Sequence, residues 1–600
     1  MSRPSGLLLL LLLGGILFSA IRPVWAIDPD AAAYVRLGWS MAEDGRYALD
    51  GSPHAKYPPG WPSVVALLTS LKGATAFGTF HTALVCALLL GVVLSGSLVR
   101  RLGYSPGAAL VVAALVGLSQ TFFDLSVHYL RSEPLFLLTT LAALLASLQA
   151  LRPGARMSWT FGAGLLVIAA VAVRLAGVSL LAVPGLVLLL GPIGAEEPTD
   201  PADAPATPSG NVRLRAILIL IMGLAAVGAW QWRAGQVLAT VPDAPDYGRE
   251  FTSAEPRDLT KVVRLDNPGL DASTMLRRIA GNADVMARAM GTLLTNVDRA
   301  AEKRPPGLAL LALVLLGWCR MAFGASSTRR AAAAYVGATL VLYAIWPFNQ
   351  QERFYAPLLP LLLIMAGEGL ALAWRATQRI AGSAAGRAAL LLAGAAALTF
   401  LALQTSRFPT VLGRWSTAYA GLLAVVATGL AVLGFVLLRR RGLPDLRPGL
   451  IWVLPVLFFL PLAHRRFIEW PRQVRNHVTH RAEHPRSGLL TRLDVPWPLE
   501  DIAVFLAENT PEDAVVMTDV PKMMAVMSGR RCIPFVYAVD PPQVVPGEAT
   551  HVYYTGELEE AYTVLEQASG DWEQVLRLRT VEAGDRSVTP TVFSLGDAPR

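Results

Sequence analysis

Asp28, Asp30, Lys56, Glu133, Arg174 and Arg353 lie beside long apolar stretches rather than in polar segments. Ionised side chains are expensive to hold near a bilayer, so residues of this kind at such positions point to chemistry. A carboxylate can position a hydroxyl group and accept its proton. Arginine and lysine can bind a phosphate and stabilise the charge that grows on it as a bond breaks. Carboxylates and cations at one membrane face therefore suit transfer of a group carried on a lipid phosphate. A purely structural role competes for the two aspartates, because an acid at a helix N-terminus also caps the helix and complements its dipole.

The elements that must position these residues can be read in order. Asp28 reads as an N-cap and Pro29 as the first helical residue. Asp30, Tyr34, Leu37 and Met41 then recur on one helix face, Gly45 ends the helix, and Pro58, Pro59 and Pro62 stiffen the exit. At the N-terminus of this helix Asp30 should stay ionised, which suits hydroxyl binding and makes it a modest base.

The chain has 600 residues, of which 54% are hydrophobic and 16% charged, with mean hydropathy +0.46, a balance that places it among polytopic membrane proteins. Cys86, Cys319 and Cys532 are scattered and suggest neither a disulfide framework nor a metal cluster. About thirteen apolar spans are expected. They fall near 6–22, 75–98, 106–124, 133–151, 159–174, 177–193, 214–232, 306–322, 331–347, 354–374, 388–404, 417–438 and 449–463. The first could pass for a signal peptide, but no small-residue cleavage site follows, and a retained helix is expected.

Placing the N-terminus in the cytoplasm gathers the basic residues of the short loops, from Arg100 and Arg101 to Arg439, Arg440 and Arg441, on the inner side. The first loop (23–74), a second loop (233–305, with a helical pattern over 272–302) and the tail after 463 then lie outside. The Pro- and acid-rich 194–212 stretch reads as a cytoplasmic linker. The tail, 464–600, alternates helical and strand patterns as a small α/β domain without a Gly-rich phosphate loop. No internal repeat is evident. With this topology Asp28, Asp30, His54, Lys56, Asp124, Arg131, Glu133, Arg174, Glu352 and Arg353 all meet one face, where snorkelling alone would populate both.

Four stretches in this order resemble the GT-C glycosyltransferases that use polyprenyl-phosphate sugars, whose members include protein O-mannosyltransferases and lipid A aminoarabinose transferases. PDAAAYVRLGWSMAEDGRY resembles the acidic start of the first outer loop, and KYPPGWP the Pro-Pro segment that closes it. HYLRSEPLFLL resembles the acid-bearing start of the fourth helix, and WPFNQQERFYAPLLPLLL the entry to a late helix. The resemblance covers roughly residues 1–375. It implies a multi-pass enzyme of the inner or plasma membrane, with residues 1–463 as its transmembrane domain. Such an enzyme moves a sugar from a polyprenyl-phosphate donor to a protein, lipid or envelope glycan outside the cytoplasm. It also implies Asp30 as the catalytic carboxylate, Asp28 assisting, and Glu133 as a second acid. Arg353, Lys56, Arg174 and Tyr355 would bind the donor phosphate, although Tyr57 separates Lys56 from Pro58 where the aminoarabinose branch has Lys-Pro-Pro. A divalent metal ion is compatible with the resemblance, and no ligand cluster requires one.

Plainer roles stand beside these. Glu133 could pair with Arg131, Arg353 with Glu352 or a lipid headgroup, His54 could be an ordinary loop histidine, and Trp61 an anchor at the membrane interface. A transporter or flippase would instead need ionisable residues near the bilayer midplane and symmetric halves. A non-catalytic envelope-assembly protein would tolerate a missing acid.

Overall fold

The computed structural model describes residues 3–21, 29–49, 51–74, 76–193, 210–241, 251, 271–295, 304–324, 326–347, 352–381, 506–518, 524, 528–534 and five short C-terminal strands. Helices dominate. They are α1 (Arg3–Phe18), α2 (Pro29–Glu43), α3 (Gly60–Lys72), α4 (Phe77–Arg101), α5 (Pro106–Gly117), α6 (Gln120–Phe123), α7 (Glu133–Ala150), α8 (Met157–Val173) and α9 (Ala182–Leu190). After these come α10 (Gly210–Thr240), α11 (Ala272–Thr295), α12 (Arg304–Ala322), α13 (Ser327–Ala344), α14 (Glu352–Tyr355) and α15 (Leu359–Ala381).

Each of the first ten expected spans coincides with helix, whereas those near 388–404, 417–438 and 449–463 lie outside the described residues. Phe77–Arg101, Glu133–Ala150, Asn211–Thr240 and Glu352–Ala373 are long and apolar enough to cross a membrane. The expected 106–124 span is not straight. Its helix stops at Gly117, bends by 51°, and resumes as α6 and a π-helical turn, Asp124–His128. Ser119 makes the restart possible, since its hydroxyl accepts from Phe122 N–H and caps α6.

Polar contacts sort the helix ends onto two faces. At one end of the bundle, Arg101 at the close of α4 donates to Gln149 near the close of α7. Arg215 near the start of α10 donates to Ala155 O, ahead of α8. Glu368 in α15 accepts from Tyr104, Arg320 and Arg329, joining the ends of α4, α12 and α13. The opposite ends of the same helices carry Arg131, Glu133, Arg174 and Arg353. Antiparallel spans with short connections produce this segregation, as the basic pattern of the sequence leads one to expect.

One apolar core runs through the bundle and takes in Leu13 and Leu17 of α1, which pack beside α4 and α5. A second, smaller one lies under the first loop. It contains Ala31, Ala32, Tyr34, Val35 and Leu37 of α2 with Tyr57, Trp61 and Val65. The apolar face of α2 is therefore buried, and Asp30 and Tyr34 are carried inward with it, while Met41 is half-buried near the helix end. Gly45, at φ 64°, turns the chain out of the helix region into a two-residue hairpin of Ala48–Leu49 and Ser52–Pro53. The helical pattern in the second loop corresponds to α11, anchored by Asn282 Nδ2, which donates to Ala344 O and Trp346 O at the end of α13.

The tail contains a five-stranded sheet. Val515–Thr518 pairs in parallel with Arg531–Pro534 and with His551–Tyr554, while Thr591–Leu595 runs antiparallel between His551–Tyr554 and Trp572–Arg577. Four of these strands follow the expected ones. Trp572–Arg577 is additional; its sequence, WEQVLR, lacks a clean period-two alternation. Most of the tail's expected helices lie outside the described residues.

Candidate active site

Asp30 is the focus of the first loop. As the second residue of α2 it stands among the unpaired N–H groups of the helix start, and it is 8% exposed. Its Oδ2 accepts from Arg131 Nη1 at 2.7 Å and from Arg353 Nη2 at 2.8 Å. Its Oδ1 accepts from the Tyr57 hydroxyl at 2.7 Å. Three distant segments thus converge on one carboxylate: the Pro-Pro loop, the hairpin before α7, and the entry to α14.

Local sequence fixes the loop that delivers Tyr57. Its N–H donates to His54 Nε2 at 2.9 Å, and its carbonyl accepts from the Tyr47 hydroxyl at 2.7 Å. Its ring stacks on His54, centroids 5.3 Å apart and planes 13° from parallel, and meets Tyr34 edge-on. Pro58 and Pro59 then lead into Gly60, where a Cβ would stand 2.7 Å from Ala172 O; only glycine lets α3 press this closely on the end of α8. Next to it, Trp61 Nε1 donates to Leu130 O at 3.0 Å. Trp61 is 1% exposed, so it is a buried brace between the Pro-Pro loop and the residue before Arg131, and not the interface anchor expected.

A second acid–base pair adjoins the first. Glu133 opens α7, is wholly buried, and accepts from Arg174 Nη1 at 2.6 Å. Arg174 follows α8 in extended backbone, φ −152° and ψ 135°, which interrupts the helical path and turns the side chain toward the hairpin. It also donates to Ser132 Oγ at 3.3 Å. The guanidinium groups of Arg174 and Arg353 each lie 4.7 Å from the centroid of the Phe354 ring, so one aromatic links both pairs. These pairings correct two plainer expectations: Glu133 pairs with Arg174 where Arg131 was the alternative, and Arg353 engages Asp30 where Glu352 or a lipid headgroup was.

Several buried polar atoms here have no hydrogen-bond partner among the described residues: Arg353 Nε and Nη1, Glu133 Oε2, and the hydroxyls of Tyr343 and Tyr355. Native interiors rarely leave such groups unpaired, and where they do, a ligand commonly supplies the partner. The rings of Tyr343 and Tyr355 are 5.3 Å apart, and Tyr343 meets Phe354 edge-on. A small cleft opens beside Tyr343, lined by Tyr34, Pro58, Arg174, Trp346 and Phe354 among others. Burial pushes the Tyr34 hydroxyl well above the ordinary tyrosine range; Arg174 opposes this, and Asp30 and Glu133 add to it. Tyr34 therefore remains neutral, and its hydroxyl accepts from Ser132 Oγ at 3.5 Å.

Of the residues singled out in the sequence, Asp30, Glu133, Arg174, Arg353 and Tyr355 are brought to this face. Lys56 is buried in the same loop beside Tyr57. Asp28 lies outside the described residues. Sequence reading missed the parts played by Arg131, Tyr57, Tyr34, Ser132 and Phe354. The signal for Arg131 was its place two residues before Glu133, and that for Tyr57 its place between Lys56 and Pro58. The donor set does not suit a divalent ion. Both oxygens of Asp30 face N–H or O–H donors, two of them cationic, and among the described residues no three His, Cys, Asp or Glu side chains converge.

No protein-family model matches the chain, and no curated protein sequence does. Solved structures do. ArnT from Cupriavidus metallidurans, in a structure described as bound to undecaprenyl phosphate, superposes with a TM-score of 0.54 at 14% identity over 98% of this chain and 98% of that one. Its apo state gives 0.52 at 14% identity over 98% and 97%. The archaeal oligosaccharyltransferase AglB from Archaeoglobus fulgidus gives 0.48 at 13% identity, over 94% of this chain and 71% of that one. The likeness to ArnT runs from end to end of both chains, and this chain has the fold of those structures.

Proposed function

We propose that this protein is a membrane glycosyltransferase that moves one sugar from a polyprenyl-phosphate donor to an acceptor hydroxyl outside the cytoplasm. The observation that carries the reading is Arg353. Its Nη2 holds Asp30, while Nε and Nη1 are buried without a hydrogen-bond partner among the described residues. Both are charge-assisted donors, on different edges of the guanidinium, and each can donate to a phosphate oxygen. Arg174, with Lys56 and Tyr355 nearby, adds to the donor-phosphate site. The undecaprenyl phosphate named for the ArnT structure supports a lipid phosphate as the group held.

In the reaction, Asp30 orients the acceptor hydroxyl and takes its proton as the oxygen bonds to the anomeric carbon. The bond from that carbon to the phosphate oxygen breaks, and its electron pair leaves with the polyprenyl phosphate. Arg353 and Arg174 stabilise the charge that develops there. A single displacement inverts the anomeric carbon. Glu133 keeps Arg174 in position through Oε1 and offers Oε2 to a sugar hydroxyl. Asp28 assists Asp30. The N-terminus is cytoplasmic, and residues 464–600 form an extracytoplasmic domain.

The test is sugar transfer in membranes, with a panel of labelled polyprenyl-phosphate sugars and envelope extract as acceptor. Wild type should transfer one of them, and Asp30→Asn should lose at least about a hundredfold while accumulating normally. Wild type that is folded yet inactive with every donor would sink the reading.

A further inference from the structure

His54 is buried, 4% exposed, in the loop that closes the site. A backbone N–H can only donate, so the 2.9 Å contact with Tyr57 N requires His54 Nε2 to be the acceptor. The imidazole is therefore neutral, with its proton on Nδ1. The residue it holds is Tyr57, gripped at the N–H and ring by His54 and at the carbonyl by Tyr47, with its hydroxyl donating to Asp30 at 2.7 Å. We propose that neutral His54 is a positioning residue for Asp30, acting through Tyr57, and that protonating His54 disengages Tyr57 from the carboxylate.

The sign follows from the geometry. An imidazolium donates from both nitrogens, so its Nε2–H would face the Tyr57 N–H, donor against donor, in a site with little water to separate them. The loop must then shift, and the Tyr57 hydroxyl shifts with it. The groups around the pair are Tyr47, edge-on to His54 at 6.1 Å; Arg233 of α10, lying over the Tyr47 ring at 5.4 Å; buried Lys56; and Tyr34 and Asp30 of α2, which face Tyr57. Arg233 thus reaches this corner through the Tyr47 ring. Imidazoles change charge between about pH 5 and 8, so the link weakens as pH falls through that window. The inference rests on Asp30 acting as the acceptor-positioning carboxylate.

Two measurements test it. In the first, isotope-labelled histidine is followed by nitrogen NMR, and the signal that vanishes in His54→Gln identifies His54 among the 8 histidines. The expected signal is that of the Nδ1-protonated tautomer at neutral pH; an Nε2-protonated ring overturns the proposal. The second is the pH profile of transfer. Wild type should lose activity on the acid side, whereas His54→Gln, whose side-chain oxygen can accept at every pH, should keep near-neutral activity and lose that acid limb. His54→Phe keeps the stack but not the acceptor, and kcat should fall about tenfold at all pH, the effect of one hydrogen bond. Tyr57→Phe should remove the part of the acid limb that His54→Gln removes. A merely structural histidine predicts variants of lower stability with the wild-type profile shape, and that result overturns the proposal. A wild type with the Nδ1 tautomer that transfers no sugar from any donor would instead count against the proposed reaction.

Discussion

Asp30 receives hydrogen bonds from Tyr57, Arg131 and Arg353, whereas Glu133 is held by Arg174, so the two acids should fail differently when changed. Glu133→Gln leaves the Arg174 guanidinium largely buried without its counter-ion, a change that costs about 3 to 5 kcal/mol when one partner of a buried pair is lost. Adding Arg174→Gln should restore most of the thermal stability in detergent, while transfer stays low because the donor phosphate loses a cation. If the single and double variants unfold at the same temperature, the pair is not the stabilising contact its geometry implies. Arg353 calls for a conservative variant. Arg353→Lys keeps the charge but not the planar set of donors, so the pair with Asp30 can persist while the Nε and Nη1 donors are lost. We expect KM for the donor to rise by about tenfold or more with the protein intact, read from initial rates against donor concentration.

The loop and hairpin that deliver these residues are positioned by contacts that involve little chemistry of their own. Gly60 sits against the Ala172 carbonyl, so Gly60→Val must push α3 off α8. Overpacking of this kind costs about 1 to 3 kcal/mol, and here it moves Tyr57 and Trp61 together. Transfer should fall by more than the loss of folded protein explains, and a variant as active per folded molecule as wild type would show that the site tolerates the shift. These elements also mark where the sequence was legible. Asp30, Tyr34 and Leu37 recur at helical spacing and are all buried, and the apolar spans read directly as helices because the bilayer demands length and apolarity. Pairing was not legible. Arg131 and Asp30 are 101 residues apart, and which cation meets which acid depends on how the hairpins approach. Trp61 failed for a related reason: tryptophan's preference for membrane interfaces is an average, overridden here by a hydrogen bond to Leu130 O. The bend after Gly117 was hidden because both halves of the span are apolar.

At the scale of the whole molecule, the bundle has a division of labour: polar ties at one end hold the helices together, and the acids and arginines at the other form the cleft. Glu368, engaged by Tyr104, Arg320 and Arg329, joins the ends of α4, α12 and α13 to α15, away from the Asp30 face. The tail has to be placed against this frame. Leu506, Val516, Met524 and Cys532 belong to the same apolar cluster as α2, Tyr57 and Trp61, which sets the sheet domain on the side of the first loop. A domain there can meet the acceptor while the lipid donor enters from the bilayer, so acceptor choice should depend on the tail and donor binding should not. Deleting 464–600 should therefore change the acceptors used, or lower turnover on the native one, while binding of a polyprenyl phosphate stays within about twofold, a change of only about 0.4 kcal/mol. An epitope at the C-terminus should be cut by protease in right-side-out vesicles and protected in inverted ones. Unchanged acceptor choice and turnover after the deletion would reduce the tail to a passenger. Protection in right-side-out vesicles would put it on the other side of the membrane from the chemistry.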